Sequence, residues 1–441
     1  MKFSKVITAA ICLLVGTFLF GSPASGRVYI DINQPFTRKI PLAVPDFVPL
    51  VPGESSPSEI SQELPRTLSH DLDLTGLFIV LDKRTFLEAN KKAGITEGNI
   101  NFKDWLMVGS ELLIKGAFEV KGDKLTLELR LFDVFEGRML LGKRYTSVLR
   151  DREAMITRFI NEVMLILTGE RGVFGSTIAF VNKQGQKKNL FLLKFGQKDI
   201  IQVTDNRSLN LSPAFSYDGT ELAYVSYKTG RPKMYIRNLL TGRERIISTA
   251  KKLYLSPSFT PSGNILVSIS EADYSSIYLL DKFGRIKRQL TGQWGINVSP
   301  TISPDEKHFA FVSDRAGSPQ IYISKITGDE IQRVTFDGQY NTDPQWSPRG
   351  DRLVYVGSDK GKLNIYTINP DGTDRQQLTS EEANDTNPCW SPNGRLIVFS
   401  SDRLGRSMLF TMTANGERQR PLILDLPGEQ TAPAWSPART D

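Results

Sequence analysis

Thr342–Gly350 reads T-D-P-Q-W-S-P-R-G, and the recurrence of this stretch decides the fold. It returns as T-N-P-C-W-S-P-N-G at Thr386–Gly394 and, shortened, as T-A-P-A-W-S-P at Thr431–Pro437. Looser copies stand at Leu211–Gly219 (L-S-P-A-F-S-Y-D-G), Leu255–Gly263 (L-S-P-S-F-T-P-S-G) and Val298–Glu306 (V-S-P-T-I-S-P-D-E). Their first prolines, Pro213, Pro257, Pro300, Pro344, Pro388 and Pro433, are 44, 43, 44, 44 and 45 residues apart. A period in the forties built from short strands predicts a β-propeller.

Each unit runs in the same order: an inner strand at P-x-W-S, a tight turn, then a strand of apolar residues such as Phe309–Val312, Leu353–Val356 or Leu396–Phe399. A turn follows, clearest as S-D-R-x-G at Ser313–Gly317 and Ser401–Gly405. A third strand then carries I-Y, and a fourth ends in L-T or V-T at Thr291, Thr335 and Thr379. Four strands per unit make one propeller blade. The sixth copy keeps only its inner strand, and the three missing strands are found at Ile178–Val181, Asn189–Leu193 and Ile201–Thr204. The segment around 173–205 therefore pairs with the C-terminal strand and closes a six-bladed ring over residues 173–441, leaving no open sheet edge between first and last blades.

Ahead of the ring, residues 27–170 predict an α+β domain with a mixed sheet and two main helices. Val28, Ile30 and Ile32 alternate with Tyr29 and Asp31 as a short strand. Ile40–Val44 is a second strand, whose Pro41 points to a sheet edge or a strand start. Ser56, Pro57 and Glu59 open a helix with a capping box. Ile60, Leu64, Leu68 and Leu72 then line one face, and Gly76 stops the helix. Leu77–Leu81 reads as a buried strand, and Glu111–Tyr145 as a three-stranded meander. Asp151–Leu167 is a second helix, with Gly169 as its C-cap.

Residues 1–26 read as an export signal: Lys2 and Lys5, an uncharged apolar run at Val6–Phe20, then small residues allowing cleavage after Gly26 or Ala24. The run is short for a transmembrane helix, so the mature chain is expected in the periplasm without a membrane span. The net charge of +7 is spread along the chain rather than massed in one block, which argues against nucleic acid. Cys389 alone remains in the mature chain, in a core-strand position where a free thiol acts as a small hydrophobe.

Signals for catalysis are thin. The chain has two histidines, His70 and His308, far apart in sequence, and neither a nucleophile elbow, a P-loop nor a dinucleotide fingerprint. No cofactor is expected and no catalytic residue or metal site is assigned; Asp205, Asp343 and Asp385 are the weak candidates for a cation. The aromatics Trp346, Trp390, Trp435, Phe215 and Phe259 belong to inter-blade core, with Ile302 as the exception. Asp314/Arg315 and Asp402/Arg403 read as structural turn residues, Asp bonding its own turn. Glu306 stands where a turn glycine is expected, so that turn should differ.

The loops that lead into the inner strands converge at one mouth of the ring. Asn210, Ser212, Tyr254, Ser256, Asn297, Ser299, Asn341, Thr342, Asp343, Asp385, Thr386, Gln430 and Thr431 lie on them. Two readings stand side by side: turn-forming polar residues, or a ring of donors and acceptors that receives a partner.

The whole order of segments resembles the TolB family, the periplasmic components of the Tol–Pal system. The likeness is carried by R-V-Y-I-D-I, by D-L-x-x-x-G-x-F at Asp71–Phe78, by W-L-M-V-G-S-E-L-L-I-K-G at Trp105–Gly116, by L-T-G-E-R-G at Leu167–Gly172 and by all six repeats. It implies a monomeric, non-enzymatic adaptor supporting outer-membrane integrity and constriction during division. The mouth residues would then bind the lipoprotein Pal, with other envelope lipoproteins or porins as further partners. The segment Arg27, Val28, Tyr29, Ile30, Asp31, Ile32, Asn33 would bind TolA, and its alternation suits strand addition. Ile302, Glu306 and Ser270–Tyr274 depart from the repeat, where Pal contacts carry over least directly. The alternative class is a secreted propeller hydrolase or lyase acting on peptides or glycans.

Overall fold

The computed structural model describes residues 38–51, 58–87, 94–247, 252–271, 274–292, 295–359, 361–380 and 382–437. The export signal, the segment Arg27–Asn33 and the capping residues Ser56 and Pro57 lie outside them.

The N-terminal part is one six-stranded sheet with helices packed against it. Its elements are β1 (Ile40–Ala43), β2 (Val48–Pro49), α1 (Ser58–Leu74), β3 (Phe78–Val80), α2 (Phe102–Met107), β4 (Leu112–Lys121), β5 (Lys124–Asp133), β6 (Arg138–Val148) and α3 (Arg152–Thr168). The strand order is β3-β1-β4-β5-β6, with β2 beside the far half of β4. The apolar stripe Ile60, Leu64, Leu68 and Leu72 of α1 is buried together with Met155, Ile156, Phe159 and Ile160 of α3.

One strand expectation holds in part and one is corrected. Pro41 stands at a strand start, as the second residue of β1, but that strand is interior, pairing with β3 on one side and β4 on the other. The proline is tolerated since pairing with β4 begins only at Leu42–Leu112, so no ladder bond is asked of its missing N–H. The edge is instead β3, expected as buried, where Ile79 is exposed.

The second part is six four-stranded sheets arranged as a propeller. Blade I combines Glu429–Trp435 with Thr177–Gln184, Lys187–Lys194 and Ile200–Gln202. Closure runs through Gln430–Asn182, Thr431–Val181 and Trp435–Ile178, so first and last segments share one ladder. Blades II to VI have inner strands at Asn210–Phe215, Leu253–Phe259, Asn297–Ile302, Tyr340–Trp346 and Asp385–Trp390.

The repeat motifs have distinct jobs. In blades III, IV and V the threonine that follows the fourth strand accepts the first N–H of the third strand's I-Y pair, Thr291 from Ile277, Thr335 from Ile321 and Thr379 from Ile365, each at 2.9 Å. That bond holds the short outer strand to its blade. The blade aromatics join neighbours: Trp390 Nε1 donates to the Gln345 carbonyl of the preceding inner strand at 3.2 Å. Trp435 Nε1 instead ties its own blade's closing strand to Ser176, just ahead of Thr177–Gln184, at 2.7 Å.

The turn aspartates are structural but do not serve their own turn. Asp314 accepts from the Ile296 N–H at 2.7 Å and Asp402 from the Asn384 N–H at 2.8 Å, both on the loop entering the inner strand. The Glu306 turn does not differ either. Glu306 takes φ 56°, the left-handed conformation of Gly350 (φ 77°) in the next copy, and both N–H groups close the same turn at 2.9 Å. Its carboxylate accepts from the Ser262 N–H of blade III, a bond glycine lacks.

The two parts share a core. Phe174 stacks near Phe195 (4.9 Å), which packs on Trp435 (5.0 Å), and all three join the cluster under α1 and α3. Asn161 of α3 bonds both the carbonyl and the N–H of Phe174. Polar contacts ring this junction: Glu170 with Arg349 and Arg395, and Asp73 with Arg418 and Arg420. All of these propeller residues flank first-to-second or third-to-fourth turns, which open on one end of an up-and-down blade. The N-terminal part therefore occupies that end, and the loops leading into the inner strands lie at the other.

Candidate functional site: the free mouth of the propeller

The site is built from three consecutive columns of the repeat. In the first column stand Asn210, Tyr254, Asn297, Asn341, Asp385 and Gln430. Tyr254 is 2% exposed and the other five are 0% exposed, so these side chains do not point into the mouth. The expectation that they form a receptive ring is corrected for all six.

They are blade connectors. Each sits where its inner strand begins alongside the third strand of the preceding blade. Asn210 Nδ2 donates to the Lys188 carbonyl at 2.8 Å, and Asn297 Nδ2 to the Ser275 carbonyl at 3.0 Å. Asn341 Nδ2 reaches Gln320 Oε1 at 2.9 Å, and Gln430 Oε1 accepts from the Leu409 N–H at 3.1 Å. Asp385 is held through its own blade: Arg403 donates to both carboxylate oxygens at 3.0 Å and lies over the rings of Phe399 and Phe410. Tyr254 does the same job by packing with Met234 and Ile236 of blade II.

The second column, Leu211, Leu255, Val298, Thr342, Thr386 and Thr431, is half-exposed. The third column carries the feature that sequence reading missed. Ser212, Ser256, Ser299, Asp343, Asn387 and Ala432 all have φ between 48° and 52°. Six of the ten described non-glycine residues with positive φ are these. Each costs about 1–2 kcal/mol relative to an ordinary conformation, and none is glycine.

The cause is a bulge repeated in every blade. Leu211 pairs with Val225 but Ala214 with Ala223, so the inner strand carries one residue more than its partner. The same shift recurs at Leu255/Ser258, Val298/Thr301, Thr342/Gln345, Thr386/Cys389 and Thr431/Ala434. A left-handed residue in such a bulge re-aims its neighbours and bends the strand. The buried proline that follows clamps the conformation.

Two of these third-column residues touch. Asn387 Nδ2 donates to Asp343 Oδ2 at 3.0 Å across the boundary between blades V and VI. Burial among the inner strands pushes the Asp343 carboxyl above its ordinary range, while the bonds from Asn387 and Thr342 pull the other way. The mouth wall is thus hydroxyls, one amide, one carboxyl and a methyl, with half-exposed Thr342, Thr386 and Thr431 at its rim. That surface offers donors and acceptors at fixed positions. Among the described residues no nucleophile–base pair is in contact there.

The weak cation candidates are not brought together. Asp385 is paired with Arg403, Asp343 with Asn387, and Asp205 is exposed. Among the described residues no three His, Cys, Asp or Glu side chains group as metal ligands. His70 lies beside Asp71 at 3.2 Å on α1, in the other part of the molecule.

Comparison with known proteins fits this geometry. Residues 165–439 match the family model described as TolB beta propeller domain, and residues 28–140 match TolB amino-terminal domain. The chain belongs to the TolB family. It is 42% identical to the Tol-Pal system protein TolB of Desulfosudis oleivorans over 268 residues, a match spanning 60% of this chain and 61% of that relative. It is 36% identical to the protein TolB homolog of Chlorobium chlorochromatii over 71% of this chain and 70% of the relative. The crystal structure of TolB from Acinetobacter baumannii superposes with a TM-score of 0.78 at 27% identity, covering 91% of this chain and 97% of that one.

In this TolB-family chain the loops singled out from sequence carry both the buried first column and the left-handed third column. Asn387 and Ala432 belong to the mouth wall and were not singled out, although they occupy the same repeat position as Asp343. The available signal was the residue type before each repeat proline: serine, aspartate and asparagine there suit a local turn or a left-handed residue.

Proposed function

We propose that this chain is a non-enzymatic adaptor of the Tol-Pal system, exported to the periplasm. The free mouth receives Pal, and the segment Arg27–Asn33 binds TolA. Linking these two partners supports outer-membrane integrity and constriction during division. The observation that carries the reading is the ring of six left-handed residues at the mouth opposite the N-terminal part. Non-glycine strain repeated at one rim is stored where a surface must be pre-shaped, and a pre-shaped surface loses less freedom on binding. Membership of the TolB family and the Tol-Pal names of the relatives supply the system.

The contact set is Ser212, Ser256, Ser299, Thr342, Asp343, Thr386, Asn387 and Thr431. The buried connectors hold this rim in place from behind. The test uses purified protein and its two partners separately. Thr342→Arg and Thr386→Arg should weaken capture of Pal by about tenfold or more through steric exclusion, and leave TolA capture intact. Deleting Arg27–Asn33 should do the reverse. Undiminished Pal capture by both arginine variants would remove the mouth from the reading.

A further inference from the structure

The net positive charge is uneven when taken blade by blade. Residues 210–289, blades II and III, hold 12 Lys and Arg against 6 Asp and Glu, a surplus of 6 in a chain whose total is +7. Several of the bases are spent internally: Lys228 and Arg237 on Glu244, Arg245 on Glu221, and Lys252 on Glu271. Arg243, Lys282 and Arg285 are exposed at the third-to-fourth turns.

The same two turns expose large apolar side chains. Leu240 is 74% exposed and Phe283 63%, and Tyr217 on the blade II first-to-second turn, at the same end of the ring, is 57% exposed. The two third-to-fourth turns adjoin, because Arg245 of blade II donates to the Lys282 carbonyl of blade III at 3.2 Å. Lys282 Nζ stands 5.2 Å from the Phe283 ring centre, with the Arg285 guanidinium 6.0 Å away. The nearby acids cap the turns: Asp281 accepts from the N–H groups of Phe283 and Arg285, and the exposed Asp218 from that of Thr220. Nothing in the turn itself calls for this composition. The matching turns of blades IV, V and VI carry Asp329, Asp371 and Glu417 instead.

Among the described residues the N-terminal part is ion-paired to this end of the propeller at blades V, VI and I, through Arg349, Arg395, Arg418 and Lys198, while Leu240 and Phe283 of blades II and III stay exposed. Apolar tips interleaved with bases match a bilayer interface, where rings and alkyl chains enter the headgroup boundary and cations meet anionic lipid. We propose that these turns form a peripheral contact surface for an anionic phospholipid bilayer, with Leu240 and Phe283 entering the interface and Arg243, Lys282 and Arg285 pairing with headgroup phosphates. The inference rests on the export reading, which places a bilayer within reach, and is independent of Pal and TolA.

The test is flotation of the purified protein, without partners, on vesicles of phosphatidylglycerol and phosphatidylcholine, against phosphatidylcholine alone. The expected result is binding to the anionic vesicles only, weakening as salt rises. Leu240→Ser with Phe283→Ser, and separately Arg243→Gln with Lys282→Gln and Arg285→Gln, should each lower partitioning by about tenfold or more. All five positions are exposed, and unchanged melting temperatures would confirm that the variants fold. Absence of wild-type binding, or binding indifferent to the Leu240/Phe283 change, overturns the proposal. So does binding to soluble polyglutamate with none to vesicles, which would assign the surface to an acidic protein.

Discussion

Asn387 and Asp343 occupy the same position in successive repeats, both left-handed, and meet side chain to side chain at 3.0 Å across a blade boundary. Because the Asp343 carboxyl is raised by burial, its folded form holds a proton more tightly than its unfolded form. The charged carboxylate therefore penalises the folded state at neutral pH, and the penalty fades as pH falls through its raised value.

Asp343→Asn removes that charge while keeping a side chain suited to the left-handed region and an oxygen for Asn387. Calorimetry at pH 7.5 should show the variant melting roughly 1–3 °C higher, the size expected of a change near 1 kcal/mol in a domain this large. The difference should shrink at acid pH, where the wild-type carboxyl is protonated. A gain that grows on acidification would contradict the assignment.

Arg403 donates to both oxygens of the buried Asp385 carboxylate, at 3.0 Å each. Arg403→Met should cost about 3–5 kcal/mol, because it strands a buried charge. Adding Asp385→Asn to it should recover part of the loss. Urea unfolding of the two variants and their combination measures the coupling directly.

Gly76 ends α1 with φ 75° against the propeller, and a Cβ there would lie 2.5 Å from Thr413 Cγ2. Gly76→Ala should therefore cost about 1–3 kcal/mol from conformation and crowding combined. The loss should fall on the junction between the two parts. Faster proteolysis near Arg171–Gly175, with the propeller fragment intact, is the expected readout.

Cys389 is partly buried beside Trp435, whose backbone N–H donates to Sγ at 3.3 Å, and burial pushes the thiol up to about 11. A raised thiol is protonated and weakly nucleophilic at neutral pH. A thiol reagent at pH 8 should leave the native protein unlabelled over hours and label the unfolded chain within minutes. Rapid native labelling would show that the strand opens there.

Much of this molecule was legible in its sequence, for a physical reason. A blade is a local meander, so its turns, aromatics and alternation recur in register, and counting prolines counts blades. The truncated sixth copy and the orphan strands at 178–204 determined closure, since an unpaired inner strand has one place to go. The helix facing of α1 and α3 followed from periodicity alone.

What the tertiary structure decided lies between blades. Asn341 is a connector because its strand begins beside Gln320, and that neighbour is set by the ring. Polar residues at a loop look alike in sequence whether they face a partner or a neighbouring blade; burial separates them. The left-handed ring, the interior place of Pro41 and the end chosen by the N-terminal part likewise depend on pairings that no local pattern encodes. The repeat of Thr342–Gly350 specified six blades by itself, and only their packing determined which of its residues point outward.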